Sequence, residues 1–259
     1  MSSITPAVPR REALHGVRQI VRFNWPFYAA GVPAALLAPV MIPRLHVAGP
    51  LQVLLYAATA VAWLWLIGSL AASWIVYDRS NLMTGEWIHP ALGFRPRAWI
   101  NVHAGLDETT AGLRDRFGVS SGRVFDIFDQ AEMTEPSIAR ARETTPVDAG
   151  SERTDYRHFP VETGTVDAAF LLLSAHELRT AAARSALFGE VRRVLTTAGR
   201  VVVAEHLRDA ANFIAFGPGA LHFHSRRTWL RVFAETGFAV QREFSITPFV
   251  RVFILGRSA

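Results

Sequence analysis

The sequence contains no cysteine and no lysine, and each absence removes a class of chemistry. Without cysteine there is no disulfide, no thiol nucleophile and no thiolate-ligated metal, a composition that fits a reducing compartment. Without lysine there is no phosphate-loop lysine, no Schiff base and no Tyr-x-x-x-Lys dehydrogenase pair. What remains is chemistry run by His, Asp, Glu, Tyr and Ser, or by a bound cofactor. All 27 basic residues are Arg, so the net charge of +5 persists in any environment. No basic stripe interleaved with aromatics is present, so anionic lipid is the expected partner for that charge, and nucleic acid is not.

Half of the 259 residues are hydrophobic, which is high for a soluble enzyme, and most of the excess lies before residue 80. An uncharged run lies between Arg22 and Arg44, and a second, from Leu45 to Tyr77, is interrupted only by His46. Each reaches the roughly 20 apolar residues that a membrane-crossing helix needs. Pro26, Pro33 and Pro39 predict a kinked first helix. Trp25, Phe27 and Tyr28 at one outer end, and Trp74 and Tyr77 at the other, stand where interfacial anchors belong. The short linker RLHVAGP allows only a tight hairpin. Arg10, Arg11, Arg18 and Arg22 precede the runs and Arg79, Arg95 and Arg97 follow them, against Arg44 alone in the linker. The positive-inside rule then places both termini, and the domain that follows, in the cytoplasm. A cleaved signal peptide and a buried soluble hairpin are the competing readings. The expected organisation is a basic N-terminus over 1–22, a transmembrane hairpin over 23–77, a connector over 78–96 and an α/β domain over 97–259. In the connector, Trp87, Ile88 and Leu92 suggest a helix lying at the membrane surface.

Beyond residue 95, short apolar runs alternate with helical patterns, the mark of a mostly parallel sheet covered by helices. Strands are predicted over 98–103, 123–129, 166–174 and 199–207, with a weakly marked third strand over 155–159. Helices are predicted over 106–118, 132–143, 181–195 and 225–237, the third with Ala182, Leu187, Val191 and Leu195 on one side. Ser225 is the expected N-cap of the last helix and Gly237 its stop. Residues 238–246 and 249–256 form a closing antiparallel hairpin through Thr247 and Pro248.

The segment FPVETGTVDAAFLLLSAHELRTAAARSALFGEVRRVLTTAGRVVVAEH carries a family pattern. Glu190, Arg193, Val194, Leu195, Gly199 and Arg200 fall in step with a Glu-x-x-Arg-Val-Leu-x-Pro-Gly-Gly-Arg run, Ala198 replacing the first Gly of the pair. The closing AETGF and its two strands fit the same pattern. Residues 97–256 thus resemble class I S-adenosylmethionine-dependent methyltransferases, closest to the branch that includes quinone-biosynthesis methyltransferases. The resemblance implies a Rossmann-like sheet with a reversed C-terminal hairpin, preceded here by two transmembrane helices. It also implies S-adenosylmethionine as cofactor and a small lipophilic acceptor.

The family's acidic residue and Gly-x-Gly-x-Gly run are replaced by NVHAGLDE: Asn101 stands at the acidic position, His103 and Asp107 at two glycine positions, and Gly105 alone remains. The resemblance therefore assigns cofactor binding to Asn101, His103 and Gly105. Of Asp126 and Asp129 on the second strand, Asp129 is the choice for the ribose hydroxyls because it sits where the predicted strand stops. Glu132, Met133, Asp155 and Tyr156 are possible adenine neighbours. Ligands in such sheets lie beyond the carboxyl ends of the strands. His176 and His206, which follow the two central strands, are thus the candidate catalytic bases. The connection after residue 206 is rich in Phe and His and suits an amphipathic ligand, with His222, His224 and Arg226 as candidate substrate contacts. His222 and His224 could instead join Glu205 or Asp209 around a metal, though no metal motif is matched. The rival to an enzyme is a catalytically silent binding or assembly module that kept the fold. Nicotinamide redox chemistry is disfavoured by the missing glycine fingerprint and the missing lysine.

Overall fold

The computed structural model describes residues 14–119, 121–145 and 150–258. Arg10 and Arg11, counted above for orientation, lie outside the described residues.

The chain opens with three helices: α1 (His15–Phe23), α2 (Trp25–Met41) and α3 (Gly49–Ser73), the last running on through one wider turn over Trp74–Arg79. α1 falls in the stretch read from sequence as a basic tail. Its first amide groups have no intrahelical acceptor, and the Asp78 carboxylate takes those of Gly16 and Val17 at 2.8 and 3.2 Å. In α2, Pro26 sits in the first turn, where a missing N–H costs nothing, while Pro33 and Pro39 lie inside the helix. The stretches Trp25–Leu45 and Gly49–Arg79 are long and apolar enough to cross a membrane, and only 11% of each one's most apolar window is buried. Tyr28 and Ser69 join α2 to α3 by a 3.0 Å hydroxyl contact.

A short helix, α4 (Ile88–Leu92), leads into the α/β domain. Trp87, Ile88 and Leu92 are buried against the sheet with Trp99, Leu113 and Phe170. This corrects the expected interfacial helix, because the apolar face intended for lipid is spent on the domain core. Then follow β1 (Trp99–His103), α5 (Thr110–Phe117), β2 (Gly122–Asp126), α6 (Pro136–Thr144), β3 (Ser151–Arg153), β4 (Val166–Leu172), α7 (Ala181–Val194) and β5 (Leu195–His206). The chain ends with α8 (Ala210–Phe216), α9 (Arg226–Glu235), β6 (Phe238–Thr247) and β7 (Val250–Arg257).

The seven strands lie in the order β3-β2-β1-β4-β5-β7-β6. β1 to β5 pair in parallel, and β7 is antiparallel to both β5 and β6. β1, β4 and the second half of β5 are central and buried on both faces, so they read as largely apolar runs. One face packs on Leu187, Phe188 and Val191 of α7 and Trp229 and Phe233 of α9. The other packs on α5 and the connector. Each large side chain so buried contributes about 1.5–3 kcal/mol. Ser225 caps α9 by accepting the Thr228 amide, and Gly237 (φ 75°) follows the helix as expected.

Several details differ from expectation, among them the starts of α5, α6 and β5, at Thr110, Pro136 and Leu195. β2 ends at Asp126, so Asp129 stands three residues past the strand. The third strand is Ser151–Arg153; Tyr156 and Phe159, which suggested a strand over 155–159, are buried in the loop that follows. Their apolar character serves packing on the core and carries no strand period. In α7 Ala183 is buried and Ala182 is exposed.

The family-like Glu190 and Arg193 have a structural task. Glu190 accepts the Phe159 amide at 2.6 Å and pairs with Arg193 at 2.6 Å, while Arg193 donates to the Phe159 and Val161 carbonyls. The pair ties the loop after β3 to α7.

Candidate active site

A cavity of about 760 Å³ opens at the carboxyl ends of β1, β4 and β5. Its floor is made by Ala104 and Leu106 after β1, Leu172, Leu173 and His176 after β4, and His206 at the end of β5. Its roof belongs to the N-terminal helices: Phe23 of α1, Phe27 and Tyr28 of α2, and Trp65, Ser69 and Ser73 of α3, with Tyr77 beyond them. Ile138 and Ala141 of α6 close one side, and Phe216, His222 and Phe223 the other. The hairpin and the sheet therefore share one cavity.

α8 was not expected from sequence, and it docks the hairpin. Trp65 meets Phe213 edge to face at 6.0 Å, and a Cβ on Gly68 would lie 3.1 Å from the Ala215 carbonyl oxygen. Gly217 (φ 56°) lets the chain leave α8 in direct contact with Trp65, where any side chain would collide. Leu173, with φ 56°, ends β4 in a left-handed turn that only structural context can hold. Ser174 then anchors the loop by donating to the Val102 carbonyl at 2.7 Å, and His176 follows.

The fold gathers His176, His206 and His222 on this cavity and leaves His224 and Arg226 off it. His176 has a carboxylate at each nitrogen, Glu205 at 2.6 Å from Nδ1 and Glu177 at 3.2 Å from Nε2. Burial opposes its charging, but the two carboxylates outweigh that and raise its pKa to about 10. The Glu177 carboxyl, despite its burial, is held well below the ordinary range by His176 and His222. Burial, reinforced by His176, pushes His206 down to about 4. His206 Nδ1 donates to the Phe249 carbonyl at 2.9 Å, so its Nε2 carries a lone pair 3.3 Å from the Tyr77 hydroxyl.

His224 instead faces Arg184 at 2.9 Å, and burial together with Arg184 and Arg179 lowers it to about 3. Arg226 is paired with Glu243 at 2.7 Å on the outer strand. Asp209 caps α8, and Glu205 stands behind His176, so the metal set of His222 and His224 with Glu205 or Asp209 does not assemble.

Around the expected cofactor cradle, the Asn101 amide donates to the Thr110 and Thr109 hydroxyls at 2.8 and 3.2 Å. His103 is buried and shares a 2.7 Å hydrogen bond with Ser151. Asp107 accepts the Thr109 and Thr110 amides at the start of α5. Neither His103 nor Asp107 lines the cavity. Gly105 keeps a positive φ of 97°, and the space beside it is filled by Arg142 of α6, whose Cδ and Nη1 both lie 2.9 Å from where a Cβ would stand. Arg142 pairs with Asp126 at 2.6 Å and lies over the Phe128 ring at 4.4 Å. Phe128, Asp129, Asp155 and Tyr156 line a smaller polar cavity of about 330 Å³ on its far side. Sequence reasoning did not name Arg142, and it weighed Asp126 but chose Asp129. An Arg on an amphipathic helix gives no signal of its own, and Asp126 was set aside because the strand was read three residues too long.

No family model matches the chain, and no curated protein matches it in sequence. Solved structures do. A SAM-dependent methyltransferase from Aquifex aeolicus aligns with a TM-score of 0.50 at 17% identity, covering 68% of this chain and 90% of that one. Geranyl diphosphate C-methyltransferase from Streptomyces coelicolor A3(2), solved with Mg²⁺, geranyl diphosphate and S-adenosyl-L-homocysteine, aligns at 0.47 and 17%, covering 67% and 78%. A SAM-dependent methyltransferase from Mesorhizobium loti aligns at 0.44 and 16%, covering 67% and 98%. The strand order, the reversed hairpin and the first of these likenesses define the fold as that of class I SAM-dependent methyltransferases.

The Aquifex aeolicus protein of that fold is S-adenosylmethionine-dependent, and the residues here can be tested against that cofactor. Gly105 offers bare backbone, and Asp126 ends β2 with a buried carboxylate, the arrangement that suits a nucleoside ribose. The obstruction is the end of a flexible side chain, that of Arg142, and no backbone stands in the way. The residues fit the group on the condition that Arg142 swings away from Asp126.

Proposed function

We propose that the chain is a methyltransferase held at a membrane by the α2–α3 hairpin, transferring a methyl group from S-adenosylmethionine to a lipid-soluble or amphipathic small molecule. The shared cavity carries this reading: a site walled by both the sheet and two membrane-length helices is open to an acceptor dissolved in lipid. The outer faces of α2 and α3 expose Leu36, Leu37, Val53 and Leu54, and α8, docked at Trp65 and Gly68, adds exposed Phe213 and Ile214. These exposed apolar side chains support burial in a bilayer. Arg18, Arg22, Arg79, Arg95 and Arg97 at the domain end, against Arg44 at the hairpin tip, support a cytoplasmic domain.

S-adenosylmethionine supplies an electrophilic methyl group on a sulfonium sulfur. The backbone at Gly105 and the Asp126 carboxylate would hold it, with Asp129 and Asp155 beside the smaller cavity. His206 is the better proton acceptor of the two histidines, since its Nε2 is neutral and meets only the Tyr77 hydroxyl while both His176 nitrogens face carboxylates. It would take the proton that an acceptor hydroxyl loses, that hydroxyl replacing Tyr77 at Nε2 while the Phe249 carbonyl fixes the ring at Nδ1. Phe216 and Phe223 pack on the His206 ring at 5.6 and 4.9 Å and exclude water from it.

The Arg142 plug favours a second reading, a silent binding or assembly module. Calorimetry on the full-length protein in detergent separates the two. The enzyme reading expects saturable S-adenosylmethionine binding. No heat at millimolar cofactor, in either the wild type or Arg142→Ala, leaves only the module. Membrane residence is checked by alkaline extraction of cell membranes, and release of the protein into the supernatant would refute the anchor.

A further inference from the structure

On one wall of the cavity, His176, Glu177 and His222 each bring a donor atom within 4.8 Å of the others. His176 Nε2 is 3.2 Å, and His222 Nε2 3.6 Å, from the same Glu177 oxygen. A tetrahedral ion with bonds of about 2.0–2.1 Å places its ligands about 3.3 Å apart. The two separations bracket that edge.

What stands behind the imidazoles is equally specific. His176 Nδ1 meets Glu205 at 2.6 Å and His222 Nδ1 meets Glu135 at 2.9 Å. Glu205 is itself fixed, because its other oxygen accepts the Ala175 and His176 amides. A carboxylate behind each ring sets its tautomer and turns Nε2 toward Glu177, as outer partners do for metal-bound histidines. The second Glu177 oxygen is buried with no hydrogen-bond partner, on a side chain only 7% exposed. An isolated ion pair between His176 and its two glutamates would explain one ring. It would not explain a second ring aimed at the same carboxylate with its own carboxylate behind it.

We propose that His176, Glu177 and His222 form a binding site for a divalent transition-metal ion. Two imidazoles and one carboxylate, without thiolate, suit zinc or iron(II). Three protein ligands leave a coordination position open, and it faces the cavity, where an oxygen of the cavity's ligand can occupy it. The site rests on its own geometry and does not require the methyltransferase reading.

The test uses the full-length chain in detergent, stripped with a chelator and titrated with Zn²⁺ by calorimetry, with metal content measured by mass spectrometry. One zinc per chain is expected, with affinity reduced about 100-fold or more in His222→Ala and in Glu177→Gln. Glu205→Gln, which removes only the group behind His176, should cost about 10- to 100-fold. His158→Ala, exposed and remote, serves as the control. Co²⁺ substitution should give the visible absorption of a four- or five-coordinate nitrogen and oxygen site, lost in His222→Ala. A melting curve checks that His222→Ala keeps the fold. Absence of stoichiometric zinc in the wild type, or undiminished binding in both His222→Ala and Glu177→Gln, overturns the site. Zinc binding without S-adenosylmethionine binding, in both the wild type and Arg142→Ala, would refute the enzyme reading alone.

Discussion

Arg142 fills the place between Gly105 and Asp126 that a cofactor ribose would need, so its removal should tighten cofactor binding. The contact to be broken is a 2.6 Å guanidinium–carboxylate pair with Asp126 4% and Arg142 20% exposed at the side chain. A hydrogen bond to a charged group at such a site is worth about 1.5–3 kcal/mol. A cofactor that must first break this contact binds more weakly by the matching factor, about 10- to 150-fold. Arg142→Ala removes that requirement and also exposes the Gly105 backbone. It leaves the Asp126 carboxylate with the Phe128 amide at 3.0 Å and His103 Nδ1 at 3.9 Å, so the free protein should melt earlier and recover on adding cofactor. The assay is calorimetric titration of wild type and variant with S-adenosylmethionine or S-adenosylhomocysteine in one detergent. An affinity in Arg142→Ala equal to or weaker than wild type, with the fold intact, refutes the plug and makes Arg142 a ligand-binding group.

Three further outcomes follow from the same geometry. His206 is held at about 4 against an ordinary 6.5, so between those values the unfolded chain takes up a proton that the folded chain refuses. Stability should fall by up to about 3 kcal/mol as pH drops through that window, and His206→Gln should flatten the melting-temperature profile there. Gly68→Leu would press a side chain into the Ala215 carbonyl, at a cost of about 1–3 kcal/mol, and should undock α3 from α8. Faster proteolytic cleavage near Gly217 would report it, and wild-type resistance would refute it. Glu190→Ala leaves Arg193 and the Phe159 amide without their shared acceptor and should cost about 3 kcal/mol in denaturant unfolding, whereas an unchanged midpoint would remove its structural role.

The hairpin and the order of sheet elements were legible because hydrophobic run length and period are local properties of the chain. The buried strands VDAAFLLLS and GRVVVAEH could hardly be anything else. α8 was not legible: AANFIAF is too short to display a period, and it becomes a helix because Asp209 caps it and Trp65 and Gly68 of α3 receive it. The connector was misassigned for a related reason. Trp87, Ile88 and Leu92 announce an apolar face, but the sequence does not say whether lipid or the sheet will cover it.

The candidate site divides along the same line. Position after a strand sufficed to nominate His176 and His206, because the carboxyl ends of parallel strands converge on one edge of the sheet. His222 and His224 are separated by one residue, yet the first faces the cavity and the second Arg184. The sequence by itself determined two membrane-length helices, a parallel α/β sheet with a reversed hairpin, and a loop rich in His and Phe after the fifth strand. Only the tertiary structure decided that Arg142 lies on Gly105, that Glu177 gathers two imidazoles, and that α1, α2 and α3 roof the cavity. Apart from the adjacent His176 and Glu177, those contacts join residues 37 to 129 positions apart in the chain, and a periodicity read over one element carries no information about which side chains the fold will bring together.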